Sequence, residues 1–191
     1  MTTRETATAA ALMTNAFEAL ARKDLDALEA MWHDDVIEDF VAIALVDGKA
    51  AARAFFSDLV TAIPDLVFRA TRVMGVDEST AVGEWHLEGT FDGGPFLGVQ
   101  PTGGHIMLRG IDVMEFDDGR LRHNTVYYDG LTFTRQMGLL PTAGSMADRA
   151  LRSGFNALVK TRKVIRHQVR QIAERRHRRS TEAEPESSAT S

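Results

Sequence analysis

The chain has 191 residues, room for one ordinary domain plus an appendage, and its 44% hydrophobic and 26% charged residues form a normal globular balance. It has no cysteine, which excludes a disulfide framework, a thiol nucleophile and thiolate metal sites, and suits a reducing cytoplasm. The net charge of −5 hides an asymmetry: residues 1–147 hold 11 Lys/Arg against 22 Asp/Glu, whereas residues 148–179 hold 11 against only Asp148 and Glu174.

The opening MTTRETATAA lacks the basic start and apolar run of a signal peptide, and no stretch approaches the roughly 20 apolar residues that span a bilayer. A soluble cytoplasmic protein is expected. Thr6 or Thr8 can start a first helix, with Leu12, Ala16, Phe17, Ala19 and Leu20 at helical spacing. Asp24 suits the N-cap of a second, running through Leu25, Leu28, Met31 and Trp32 until His33-Asp34-Asp35 closes it. Val36 to Phe40 reads as a short strand and Asp47-Gly48 as a turn. A third helix follows from Lys49 to about Ile63, ended by Pro64-Asp65.

Four strand-like runs come next: Leu66–Val76, Thr80–Phe91, His105–Phe116 and Arg120–Tyr128. Asp118-Gly119 between the last two is a hairpin signal. Helices followed by an antiparallel meander predict an α+β layer fold. Residues 142–147 read as a linker, 148–179 as a basic amphipathic helix, and 180–191 as a Ser/Thr/Glu tail too polar to fold.

Several phrases carry a family resemblance. Asp24-Leu25-Asp26, His33 to Asp39 and Gly48-Lys49-Ala50-Ala51 resemble the opening of ketosteroid isomerases. Gly89-Thr90-Phe91, Pro101-Thr102-Gly103-Gly104, Asp117 to Leu121 and Gln136 to Pro141 resemble SnoaL-like polyketide cyclases. Over residues 5–141 this implies a cone-shaped curved antiparallel sheet packed on three N-terminal helices, around an apolar pocket. It also implies a homodimer through the back of the sheet, and a cofactor-independent isomerase or cyclase. Such an enzyme would act by proton transfer on a hydrophobic carbonyl compound of polyketide, steroid or terpenoid type. The same superfamily holds binding modules without turnover, so the fold alone leaves both readings open.

On the third strand, Ile106, Leu108, Gly110, Asp112, Met114 and Phe116 share one face by period-2 alternation. A carboxyl amid that face is costly to desolvate, and its pKa should rise. The resemblance places Asp112 where ketosteroid isomerase holds a protonated acid as oxyanion donor. The plainer reading pairs Asp112 with Arg109 or with water. Asp39 falls where those isomerases place their proton-shuttling aspartate, between apolar Phe40 and Val41 but beside Asp34, Asp35 and Glu38. It could equally face solvent.

Phe56, Trp85, Leu108, Met114, Phe116 and Tyr128 are expected to wall the pocket. Asp129 reads as structural, and the glycines at 93, 94, 98, 103 and 104 as a hairpin at the pocket mouth. Departures from the family are equally plain. Ala16-Phe17-Glu18 lacks the isomerase tyrosine, and Val126 stands where the cyclases carry an aspartate. Arg109 and Asp112 are three apart, where the epoxide hydrolases of this fold space their pair by two. His33, His86, His105 and His123 show no metal-type spacing, so no metal is expected. The basic helix admits three partners: an anionic membrane surface, the acidic domain or a second subunit, and, least favoured, nucleic acid.

Overall fold

The computed structural model describes residues 8–159 and 162, and the chain divides between Leu140 and Pro141 into two units. In the first, Thr8 opens helix α1 (Ala9–Ala21), its hydroxyl accepting a hydrogen bond from the Ala11 amide. Met13, Ala16, Phe17 and Leu20 bury the face that the periodicity predicts. Asp24 caps α2 (Leu25–Met31) in the same way, through Ala27 N–H. Helix α3 (Lys49–Ala62) buries Ala52, Phe56, Leu59 and Ala62, each three or four residues apart.

The sheet is curved and unclosed, with six strands in the order β2-β1-β6-β5-β4-β3. These are β1 (Trp32–Phe40), β2 (Ala44–Asp47), β3 (Val67–Gly75), β4 (Thr80–Phe91), β5 (Gly104–Asp117) and β6 (Arg120–Tyr128). A final short helix, α4 (Gly130–Gln136), is capped by the Asp129 carboxylate through the Leu131 and Thr132 amides.

The structure goes beyond the expected meander in two respects. β1 starts at Trp32, four residues earlier than the sequence suggested, and it pairs with β6 in parallel. β2, which the sequence reading passed over, folds back on β1 through the turn after Phe40.

β4 and β5 form the backbone of the sheet, paired without a break from Thr80↔Glu115 to Phe91↔Gly104. Along β5 the buried residues alternate with exposed or half-buried ones over its whole length, which gives the strand one inner and one outer face. The β5–β6 hairpin turns at Asp118 and Gly119, both at positive φ (47° and 72°), as the Asp-Gly pair predicts for a turn matched to strand twist. A bulge between Glu115 and Phe116 then resets the register, so that Leu121, Asn124, Val126 and Tyr128 all turn inward or nearly so.

In the second unit, residues 146–159 are helical. The rest of the expected basic helix and the tail at 180–191 lie outside the described residues, apart from Arg162.

Candidate active site

The inner faces of β1, β4, β5 and β6, closed over by α1, α3 and α4, surround a cavity of about 90 Å³. One water needs roughly 10–15 Å³ on this measure, so there is room for several waters or a small ring. Aromatic side chains dominate the walls. At one side Phe40 and Phe55 stack and Phe56 meets both edge-on, with ring centroids 4.3–6.1 Å apart, and Phe68, Trp85 and Tyr128 form a second row.

Into this apolar space project three polar side chains that are almost wholly buried: Glu38 from β1, Asn124 from β6 and Asp112 from β5. They are neighbours because of the strand register. Glu38 lies beside Asn124 across the parallel β1–β6 pair, and Met114 beside Asn124 across β5–β6, which brings Asp112 two residues away on the same face. The Asn124 amide donates to both acids, at 2.8 Å to Glu38 Oε2 and 3.2 Å to Asp112 Oδ2. The Trp85 indole N–H donates to Asp112 Oδ1 at 2.7 Å.

Burial pushes Glu38 up to about 8. The bonds from Asn124 and Trp32 pull it down, and the neighbouring Asp112 pushes it up further. Burial likewise pushes Asp112 up to about 7, opposed by its bonds from Trp85 and Asn124. Tyr128, half-buried, has its phenol pushed up to about 12 by the same desolvation, so it is a hydrogen-bond donor at every working pH.

Of the residues the sequence singled out, Asp112, Phe56, Trp85, Leu108, Met114 and Tyr128 line this cavity. Two do not. Phe116 is buried in the core, paired with Leu121 beyond the bulge that Arg122 makes in β6, and falls short of the cavity wall. Asp39 is half-buried on the opposite side of β1 from Glu38, opposite Thr125 of β6, and the structure does not bring it together with Asp112. The acid that reaches the cavity is its neighbour Glu38. Its signal was the run Val36-Glu38-Phe40, an acid with an apolar residue two positions away on each side. Asn124 was missed altogether, although it shares parity with Val126 and Tyr128.

Asp112 makes no pair with Arg109, which stands on the outer face near Glu84, Ile111 and Tyr127. Ala16 and Phe17 occupy the wall where the isomerase tyrosine is lacking, and Val126 lines it where the cyclases carry their aspartate. At the rim, Phe96 and Val99 exchange backbone hydrogen bonds of 3.0 and 2.9 Å around Leu97-Gly98, and Phe96 points its ring inward against Phe55. Among the described residues no group of three or more His, Asp or Glu side chains converges as a metal site.

An α+β cone enclosing an aromatic chamber with two buried acids defines the class of protein. The profile of the SnoaL-like polyketide cyclase family matches residues 10–137, and the chain belongs to that family. No curated protein matches it in sequence. Among solved structures it is similar to one assigned as a SnoaL-like polyketide cyclase from Jannaschia sp. CCS1. That likeness has 21% identity over 74% of this chain and 99% of the other, with a TM-score of 0.62. It is similar also to one assigned as a polyketide cyclase from Pseudomonas putida KT2440, at 24% identity, 68% and 98% coverage and a TM-score of 0.60. A third, assigned as a ketosteroid isomerase from Kribbella flavida DSM 17836, shares 20% identity, 63% and 76% coverage and a TM-score of 0.50. At these identities the likeness is one of fold.

Proposed function

We propose that this chain catalyses proton transfer beside the carbonyl of a small, largely apolar ring compound, the step that isomerases and cyclases of such substrates have in common. One observation carries the reading: two carboxyl groups, joined by the NH2 group of one asparagine, are sunk in an aromatic chamber with almost no other polar atoms. Two acids so placed resist ionising together, so near neutral pH the pair holds about one proton. Family membership and the assignments of the structural neighbours as cyclases and an isomerase support the same chemistry.

Asp112 receives N–H bonds on both oxygens, from Trp85 and Asn124, which favour its ionised form, so it is taken as the base while Glu38 keeps its proton. In the proposed step the Asp112 carboxylate takes a proton from the carbon beside the substrate carbonyl. The electron pair of that C–H bond moves into the developing enolate. Its oxygen accepts a hydrogen bond from the Glu38 acid or from the Tyr128 hydroxyl. Return of the proton to a different carbon completes an isomerisation. Attack of the enolate carbon on a second carbonyl instead closes a ring, the π pair of that C=O becoming an alkoxide that takes the proton from Asp112. The dry aromatic walls strengthen each of these charge interactions.

The test needs no known product. A panel of small cyclic ketones is incubated with the protein in D₂O, and proton loss at the carbon beside the carbonyl is followed by NMR. Wild-type protein should accelerate exchange in at least one of them, and Asp112→Asn should lower that rate by about 10²–10⁴. Exchange that is unchanged in Asp112→Asn would remove the proposed base. Ketones that bind without exchanging would make the cavity a binding module.

A further inference from the structure

The second unit carries a surface that the cavity chemistry leaves unused. In the helix over 146–159, Leu151, Phe155 and Leu158 recur at i, i+4 and i+7, share one face, and are 53, 66 and 65% exposed. Arg149 and Arg152 stand off that face. The only acid in these turns, Asp148, is occupied within the unit, accepting from the Gly144 amide at 2.8 Å and pairing with Arg152. From Lys160 to Arg179 the sequence adds nine more Lys/Arg against Glu174 alone, and Ile165, Val169 and Ile172 resume the apolar spacing after Arg162 breaks the stripe.

We propose that this basic stretch docks the chain on an anionic phospholipid surface. The cations would face the headgroups, while Phe155 and the two leucines would enter the boundary with the acyl chains. The argument is one of matching chemistry. A nucleic acid or an acidic protein face neutralises guanidinium groups but leaves the apolar stripe in water. A hydrophobic protein groove accepts the stripe but gives the excess of cations nothing to meet. The interface of an anionic bilayer supplies both, at depths a few ångströms apart.

Phe155 is the only aromatic residue between 146 and 179, too few for a base-stacking platform. The cations spaced through residues 149–179 leave no apolar run that could cross a bilayer, which suits a contact along the surface. The inference stands independently of what the cavity catalyses.

Sedimentation of the full chain with vesicles tests it. Phosphatidylcholine vesicles carrying phosphatidylserine should pull the protein down, pure phosphatidylcholine vesicles should not, and raised salt should release it. Arg149→Gln and Lys163→Gln should each weaken partitioning about fivefold. Phe155→Glu combined with Leu158→Glu should abolish it while leaving the thermal unfolding of the chain unchanged, since both side chains are exposed. Equal binding to neutral and anionic vesicles, or none to either, overturns the proposal. So does binding that survives the Phe155/Leu158 double substitution. A change in oligomer size caused by that substitution, with vesicle binding intact, would assign the face to a second copy instead.

Discussion

Two sets of acidic side chains in this protein have their proton affinity moved in opposite directions by the fold. Asp65, Asp77 and Asp129 sit at exposed corners and accept hydrogen bonds from the chain around them: Asp65 from the Thr90 amide and hydroxyl, Asp77 from Ser79 and Thr80, Asp129 from Thr132 and Leu131. Each is held below the usual carboxylate range by those bonds. Glu38 and Asp112 also accept N–H bonds, yet both are raised, because desolvation outweighs what the donors supply. Hydrogen-bond count therefore does not set protonation here; access to water does. Asp65, Asp77 and Asp129 are charged and hold turns together, and the two cavity acids keep their protons to higher pH.

The largest effect that sharpens this contrast is catalytic. Asp112→Asn removes the proposed base and should cost about 10²–10⁴ in exchange rate. Glu38→Gln keeps a neutral hydrogen-bond donor in place and should cost distinctly less. If the order of the two variants were reversed, the roles of base and donor would be exchanged between the two acids.

Stability against pH comes next. A group whose folded pKa is raised holds its proton more tightly in the folded state. Its contribution is complete below about pH 4 and is lost as the pH climbs through the values near 7 and 8. The cavity pair should therefore leave the wild type less stable at pH 8 than at pH 4. Glu38→Gln should flatten that fall, so that denaturant titrations show it more stable than wild type at pH 9 and close to it at pH 5. The surface acids act in the opposite direction. Their contribution is present above the ordinary carboxylate pKa and disappears as the pH falls through their lowered values, and Asp65→Asn should shrink that acid loss.

A smaller effect isolates one donor. Trp85→Phe keeps the ring and its packing on Phe68 but deletes the indole N–H that Asp112 Oδ1 accepts. A hydrogen bond to a charged group contributes about 1.5–3 kcal/mol, so the Asp112 pKa should rise by roughly one to two units. The acid limb of the pH–rate profile should move up with it. An unmoved limb would mean that Trp85 acts as wall alone.

These residues also show what a sequence discloses. The alternation of β5 is legible because it runs the whole strand, and it sets Asp112 on one face with Ile106, Leu108, Met114 and Phe116. Since Met107, Ile111 and Val113 make the other face apolar too, alternation alone does not say which face is inner, and the structure turns Asp112 inward. β1 is different. Val36-Glu38-Phe40 and Ile37-Asp39-Val41 both set an acid between apolar residues, and a five-residue window cannot choose between them. The choice is made by pairing with β6, where Glu38 meets Asn124 and Asp39 meets Thr125, a contact 86 residues apart in sequence. β2 has only four residues and no clear alternation, so nothing local announces it. Asn124 hides for a related reason. An amide has no hydrophobic signature, and the bulge at Glu115–Phe116 breaks the parity that would link it to Leu121.

The smallest predicted effect lies at the cavity rim, where two adjacent side chains meet opposite conditions. Phe96 is buried against Phe55 in the cavity wall, while Leu97 beside it is 46% exposed and sits at φ 49°, followed by Gly98 at φ 77°. Positive φ at both central positions makes this a turn for Asn-Gly or Gly-Gly. A leucine there bears the clash between Cβ and carbonyl that asparagine tolerates better, and its exposed side chain returns little in burial. Leu97→Asn should therefore raise stability by about 1 kcal/mol in denaturant titration. Because Leu97 is not part of the cavity wall, affinity for a cavity ligand should stay as it was. A loss of stability would show that the leucine packs more usefully in solution than its exposure implies. A change in ligand affinity would show instead that the turn sets the position of Phe96, and so the shape of the chamber the two buried acids face.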